Sequence, residues 1–428
     1  MDSSNSIELE IACSKQFKSS VTQSELMQAI QLYLTENVKL AKDHVFEVKC
    51  PSVVDVMVCS ELNEFTPRTD LRAYTYTLHE SLEEEETLQQ DGEEIQIANH
   101  WMLPAREFHG LWSSLIFEDG LKEDLLSFVY TTMMFSRKGV NSNLISCNRL
   151  VLLHGPPGTG KTSLCKALAQ KLAIRMTEHY THSHLIEINS HSLFSKWFSE
   201  SGKLVQKVFG QIHELCQDRK SLVCVLVDEV ESIAFARDSI SNNEPSDSIR
   251  VVNAVLTQLD RIRKYPNVFV FATSNLTGSI DLAFLDRADI VQYIGNPTAG
   301  AIYEIYRSTL EDLSQVGIIN DYVSLPDFLQ IAPHKETIAI NNLKMLAQMS
   351  VGLSGRSLRK VPFLAHALYV KQEETSLIKF ISAMRSAVRK MCSDKSMLTG
   401  QEKDAAESKQ SNENGDDKGE TDKSTAER

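Results

Sequence analysis

Arg149-Leu-Val-Leu-Leu-His154-Gly155-Pro156-Pro157-Gly158-Thr159-Gly160-Lys161-Thr162-Ser163-Leu164 sets an apolar run, a glycine-rich turn and a Lys-Thr pair in direct succession. Leu150 to Leu153 is expected as a buried strand, and Leu164 to Lys171 as helix. Gly155 to Thr162 fits the phosphate-loop pattern G-x-x-x-x-G-K-[ST], in the strand–loop–helix context that gives the pattern its meaning. Glycines let backbone N–H groups turn inward around a phosphate chain, and the helix N-terminus adds partial positive charge behind them. Lys161 is then the candidate for the β- and γ-phosphates, and the Thr162 hydroxyl for magnesium. The implied ligand is a nucleoside triphosphate.

Outward from this loop, strand-like and helix-like runs alternate. Leu185 to Ile188, Ser221 to Val227 and Asn267 to Thr273 are predicted strands; the last two are near-continuous apolar runs, as in a parallel sheet covered on both faces. Leu121 to Phe135, Lys203 to Cys216 and Asp247 to Arg263 are predicted helices. The alternation predicts an α/β, doubly wound domain. The strand from Ser221 ends in Asp228-Glu229, a placement that suits Asp228 to hold a magnesium shell and Glu229 to accept a proton from attacking water. The next strand ends in Thr273-Ser274-Asn275, where the Asn275 amide is the candidate to orient that water.

Taken together, these motifs and Ile280-Asp-Leu-Ala-Phe-Leu-Asp-Arg287-Ala-Asp289 resemble the AAA+ ATPases, whose members form hexameric rings. The resemblance makes Thr273 to Asn275 a sensor, and Arg287 the candidate finger reaching a neighbouring subunit's γ-phosphate. Many members carry Arg-Pro-Gly-Arg here, whereas this chain has Arg-Ala-Asp, so the residue acting in trans stays open. Gly352-Leu-Ser-Gly355-Arg356 resembles the start of a lid helix whose arginine contacts the γ-phosphate in cis; Arg359 is a lesser candidate. The adjacent aromatics of Ser195-Lys196-Trp197-Phe198-Ser-Glu-Ser201-Gly202 stand where AAA+ unfoldases hold a pore loop that grips a threaded polypeptide. Large rings between Lys, Ser and Gly are unusual for an exposed turn, which supports that placement.

A narrower likeness, from about residue 98 to 390, is to the pachytene checkpoint AAA+ ATPase family. It rests on Ala98-Asn-His-Trp, Phe108-His-Gly-Leu-Trp, Asn189 to Leu204, Glu244-Pro-Ser-Asp, Arg250 to Gln258, Asp286-Arg-Ala-Asp and Leu353-Ser-Gly-Arg. This resemblance implies an ATP- and Mg2+-dependent homo-hexamer that partly unfolds HORMA-domain proteins, converting closed to open topology, with a comet adaptor presenting substrate. It also implies a nuclear and cytoplasmic, chromosome-associated protein. A nucleotide-gated scaffold without unfolding and a nucleic-acid motor are the alternatives; paired aromatics disfavour the first.

Residues 1–95 are expected as an N-terminal α+β module for binding adaptor and substrate, with strands at Ile7–Ala12, Val45–Cys50, Val53–Val58 and Arg72–Leu78 and a helix from Ser24. The acidic run Glu80 to Glu94 reads as a solvated linker, placing the boundary just after it. The expected large ATPase domain is 96–297, the helical lid 298–392 and a disordered tail 393–428, too poor in apolar residues to offset chain entropy. Residues His109 to Leu111 are a candidate part of an adenine pocket. The chain has 428 residues, 42% of them hydrophobic, and a formal net charge of −13, which argues against direct nucleic-acid binding. No apolar run is long enough for a membrane span, and Met1 to Ser6 lacks the basic start of a secretory leader. Eight scattered cysteines without C-x-x-C spacing are expected as reduced core thiols.

Because Lys161 alone brings a full charge into the loop, Lys161→Ala should abolish nucleotide binding, as read by fluorescent-ATP titration. Wild-type affinity in that variant would contradict the loop assignment.

Overall fold

The computed structural model describes residues 6–13, 23–37, 40, 43–48, 53–59, 70–80, 84–90, 93–118, 120–141, 143–189, 201–231, 245–275, 282–331 and 337–413. Two compact units divide it, Met1–Gly295 and Asn296–Arg428.

The first unit holds two sheets. In the smaller, β1 (Ser6–Cys13) pairs antiparallel with β3 (Val53–Val58) and parallel with β4 (Asp70–Thr77), and the two-residue β2 (Val45–Phe46) edges β3. Helix α1 (Gln23–Glu36) covers one face, burying Leu26, Ile30 and Leu34 against Leu9, Ile11, Val56 and Val58. The larger sheet has seven strands. They are β5 (Glu84–Gln90), β6 (Glu93–Leu103), β7 (Leu150–His154), β8 (His182–Asn189), β9 (Ser221–Asp228), β10 (Val268–Ser274) and β11 (Ile290–Tyr293), in the order β11-β7-β10-β9-β8-β6-β5. Strands β7 to β11 run parallel; β6 is antiparallel to β8, and β5 to β6. The central runs β7, β9 and β10 are buried almost end to end because helices lie on both faces, whereas the edge strand β11 is half exposed. Helix α2 (Leu111–Ser114), α3 (Leu121–Arg137) and α4 (Lys161–Arg175) pack on one side, and α5 (Ser201–Gln217) and α6 (Pro245–Ile262) on the other.

The acidic run around residue 90 departs from the expected linker. Its backbone forms the β5–β6 hairpin and joins the seven-stranded sheet, with Glu84 opposite His100 and Gln90 opposite Glu93. An outermost strand leaves one backbone edge unpaired, and charged side chains are common on such edges.

Helix α4 carries the smaller sheet. Residues Glu8, Glu10 and Ala12 leave β1 on the face opposite its core residues, as strand alternation requires. Glu10 Oε2 accepts from Lys171 Nζ at 2.6 Å, with side chains 1% and 5% exposed; Glu8 Oε2 lies 3.1 Å from Arg175, and Ala12 packs with Tyr76, Leu78 and Ile174. Asp55 adds a 2.7 Å contact to His109 Nε2, and Asp43 one to Lys122 at 3.5 Å. His109 is thereby engaged by the smaller sheet. Leu115 and Phe117 lie against the phosphate loop, 3.6 and 3.5 Å from where a Gly160 Cβ would stand.

The second unit is helical: α8 (Ala299–Gln315), α9 (Ile338–Met349), α10 (Gly355–Ala365) and α11 (Leu377–Glu413), after the short α7 (Leu282–Leu285) of the first unit. Thr298, Thr337 and Ser354 cap three of them through their hydroxyls, and the buried Tyr306 hydroxyl meets Ser350 Oγ at 2.9 Å. Helix α11 continues through residues expected to be unstructured. From Gln401 the sequence is rich in Ala, Glu, Lys and Gln and has no proline before Glu413, a composition that favours helix. The described cysteines are free thiols. No helix among the described residues is long and apolar enough to cross a membrane.

The Glu10–Lys171 pair gives a test. Glu10→Ala leaves a buried ammonium unpaired and should destabilise the first unit by roughly 3–5 kcal/mol in urea unfolding, whereas Glu10→Met with Lys171→Met should recover most of that loss. Additive losses in the double variant would contradict the pairing.

Candidate active site

The phosphate loop is shaped by its neighbours. Gly155 follows β7 at φ 144, and a side chain there would run into the Ile294 carbonyl just past the adjoining strand β11. Gly160 stands at φ 98 as the residue before α4, a left-handed conformation that glycine adopts without strain. The Thr159 hydroxyl donates to Pro156 O at 3.0 Å, closing the loop on itself. Lys161 Nζ reaches Gly155 O at 2.9 Å and Pro156 O at 2.8 Å, so its ammonium sits over the loop's mouth. Burial lowers the Lys161 pKa; the charges of Glu231, Asp228 and Glu229 act in the opposite sense.

Topology supplies the acids. Strand β10 lies between β7 and β9, so the C-terminal ends of all three meet beside the loop, where open α/β sheets bind ligands. Thr162 Oγ1 donates to Asp228 Oδ1 at 2.8 Å. Thr273 Oγ1 donates to the same carboxylate oxygen and accepts the Glu229 N–H at 3.2 Å. Val230 N donates to Thr273 O at 2.9 Å. The Asn275 amide donates to Glu229 Oε1 at 3.2 Å, and the Asn275 backbone N–H to Glu231 Oε1 at 3.0 Å. Glu229 has φ 57, a left-handed conformation rare for a residue with a Cβ, held by these bonds on either side. The turn aims its carboxylate toward Asn275 while Asp228 faces Thr162.

Sequence reasoning named Asp228, Glu229 and Asn275, and the structure brings them together with Lys161 and Thr162. Glu231 was not named. It is 6% exposed and joined to Asn275, yet one more acid after Asp-Glu carries no distinguishing pattern in the sequence. Arg287 lies elsewhere on the same unit, its guanidinium bidentate on Asp260 (3.0 and 2.8 Å) and donating to Ala283 O at 2.8 Å. Arg356 is exposed on the second residue of α10, in the other unit. Trp197 and Phe198 fall outside the described residues.

The donors suit a hard cation. The Asp228 carboxylate and Thr162 hydroxyl are oxygen ligands of the type magnesium takes alongside phosphate oxygens. Fold and site together define a phosphate-loop nucleoside triphosphatase of the AAA class.

Comparison with known proteins narrows the class. Residues 151–296 match the ATPase family associated with various cellular activities (AAA), and 298–392 the TRIP13-like AAA+ ATPase lid C-terminal domain. Pachytene checkpoint protein 2 homolog of Danio rerio is 51% identical over 375 residues, covering 86% of this chain and 85% of that protein. The Homo sapiens homolog is 49% identical over 377 residues, with 86% and 84% covered. The solved structure of C. elegans PCH-2 has a TM-score of 0.76 at 37% identity, covering 91% of this chain and 99% of that one. A solved E. coli MS115-1 complex, HORMA:CdnC:Trip13, shares the fold, at TM-score 0.51 and 17% identity over 67% of this chain and 94% of that one. The chain belongs to the pachytene checkpoint protein 2 (TRIP13) family of AAA+ ATPases; it is an ATPase and binds nucleotide.

Thr273 tests the arrangement. Thr273→Val keeps the side chain's shape but removes the hydroxyl that serves both Asp228 and the Glu229 N–H. It should destabilise by about 1–3 kcal/mol, since it leaves polar groups unsatisfied, and ATP turnover should fall with it. Unchanged melting and turnover would contradict the bonding described.

Proposed function

We propose that the chain acts as a homo-hexameric remodeler that couples ATP hydrolysis to partial unfolding of HORMA-domain proteins, from the closed to the open topology. The observation that carries the hydrolytic half is Glu229 held by Asn275 beside the phosphate loop. In this scheme Lys161 binds the β- and γ-phosphates, with Gly155, Pro156, Pro157, Gly158, Thr159 and Gly160 offering the cradle. Thr162 and Asp228 would hold Mg2+, which supplies charge neutralisation on the phosphates. Glu229 accepts the proton of the attacking water, and the Asn275 amide orients that water.

Arg356 contacts the γ-phosphate in cis. Arg287 is the candidate to reach a neighbouring subunit's nucleotide, a role that requires its pair with Asp260 to open or be shared. Trp197 and Phe198 line the pore and grip the substrate polypeptide.

Support for the partner comes from the family and from the bacterial relative, whose solved complex contains a HORMA protein. The N-terminal domain engages a comet adaptor and substrate, in meiotic chromosome-axis control and spindle-checkpoint signalling. The protein works in nucleus and cytoplasm, on chromosomes, without direct contact to nucleic acid or membrane.

Glu229→Gln should lower turnover by roughly 10²–10⁴-fold, the usual contribution of general-base catalysis, with fluorescent-ATP affinity and nucleotide-dependent ring assembly kept. Unchanged turnover would overturn the assignment. Trp197→Ala should abolish conversion of a purified closed HORMA protein while leaving ATP hydrolysis largely intact; conversion at the wild-type rate would overturn the pore role.

A further inference from the structure

Glu231 stands two residues beyond Glu229 and is almost wholly buried. Its Oε1 accepts the Asn275 backbone N–H at 3.0 Å, and its Oε2 is buried with no hydrogen-bond partner among the described residues. Ladder pairing of β10 ends with Ser274 opposite His154, so the Asn275 N–H lies past the last sheet partner and must find an acceptor elsewhere. A serine or asparagine side chain would satisfy that N–H. A buried carboxylate with one oxygen bare is far more costly than such a cap, and charges retained in that way concentrate at functional sites. The Glu231 side chain therefore ties down the end of the sensor strand.

We propose that Glu231 is a positioning residue for ATP hydrolysis: by holding the Asn275 backbone it keeps the Asn275 amide on Glu229. The order of contacts is Glu231 Oε1 to Asn275 N–H, then Asn275 Nδ2 to Glu229 Oε1. Loss of the first bond frees the strand end, and the amide then samples orientations that do not serve the water. Nucleotide affinity, set by the loop and its lysine, is touched much less. The proposal rests on the assignment of Glu229 and Asn275 given above.

A double-mutant cycle on the full chain tests it, with Glu231→Met and Glu231→Gln made in the wild type and in Asn275→Ala. The measurements are kcat for ATP and the Kd of fluorescent ATP. Glu231→Met keeps the volume without an acceptor and should lower kcat roughly tenfold or more, with Kd moved by less than about threefold. Glu231→Gln retains a carbonyl acceptor and should keep at least about a third of wild-type kcat. Contacting residues that act as one unit give non-additive losses, so in Asn275→Ala the methionine change should lower kcat by less than about threefold. If the methionine variant does not fold, Glu231→Asp, which keeps the charge but shortens the reach, replaces it with the same expectation.

Full kcat in Glu231→Met, equal losses in both backgrounds, or a glutamine variant as slow as the methionine one would each overturn the proposal. Wild-type kcat in Asn275→Ala alone would instead overturn the sensor assignment beneath it, so the two failures are told apart.

Discussion

The Thr273 hydroxyl holds the Asp228 carboxylate and the Glu229 backbone at the same time, and the site depends on that one double contact. Two parallel strands end side by side there, and their last residues are tied by side chains where the ladder stops. Without the tie, Glu229 has no reason to keep a left-handed backbone, since αL costs a residue with a Cβ roughly 1–2 kcal/mol. With it, two adjacent acids are turned in different directions. Asp228 meets the hydroxyl at the start of α4, and Glu229 meets the sensor amide. Separate roles for neighbouring carboxylates follow from backbone geometry, with no need for different side-chain chemistry.

Helix α4 extends the consequence to the smaller sheet. Its first turn carries Lys161 and Thr162, and its last turns carry Lys171 and Arg175 against Glu10 and Glu8. A helix is stiff over this length, so the phosphate loop and the N-terminal sheet are mounted on one bar. The buried Glu10–Lys171 pair adds little net stability compared with apolar packing, but it penalises every docking in which one charge is left alone. Its contribution is to fix where the N-terminal domain sits. Arg175 lies over the Tyr74 ring of β4, which adds a cation–π attraction to the same contact, and Lys171 lies over the Trp112 ring of α2.

The phosphate loop, Asp228, Glu229 and Asn275 were legible because each chemistry demands a residue type at the end of a buried strand, and buried β-branched runs announce themselves. Glu231 was not legible: whether an acid is buried depends on which strand end lies across from it, and spacing says nothing of that. Arg287 reads as a lone cation in the sequence, and its bidentate partner Asp260 comes from a helix brought near only by folding. Glu80 to Glu94 misled for a related reason. Composition marks it as a linker, yet a charged run can also form a regular hairpin at the edge of a sheet. The helix past residue 393 was missed because the argument from apolar area concerns packing and ignores helix propensity, which this composition favours.

The central claim is that phosphate loop, acid-bearing turn and sensor strand respond to nucleotide as one linked unit. Amide hydrogen exchange of the full chain, with and without a non-hydrolysable ATP analogue, measures this directly. The account predicts slowed exchange at 155–162, 228–231 and 273–275 together. Protection confined to the loop, with both strand ends exchanging as before, would contradict it.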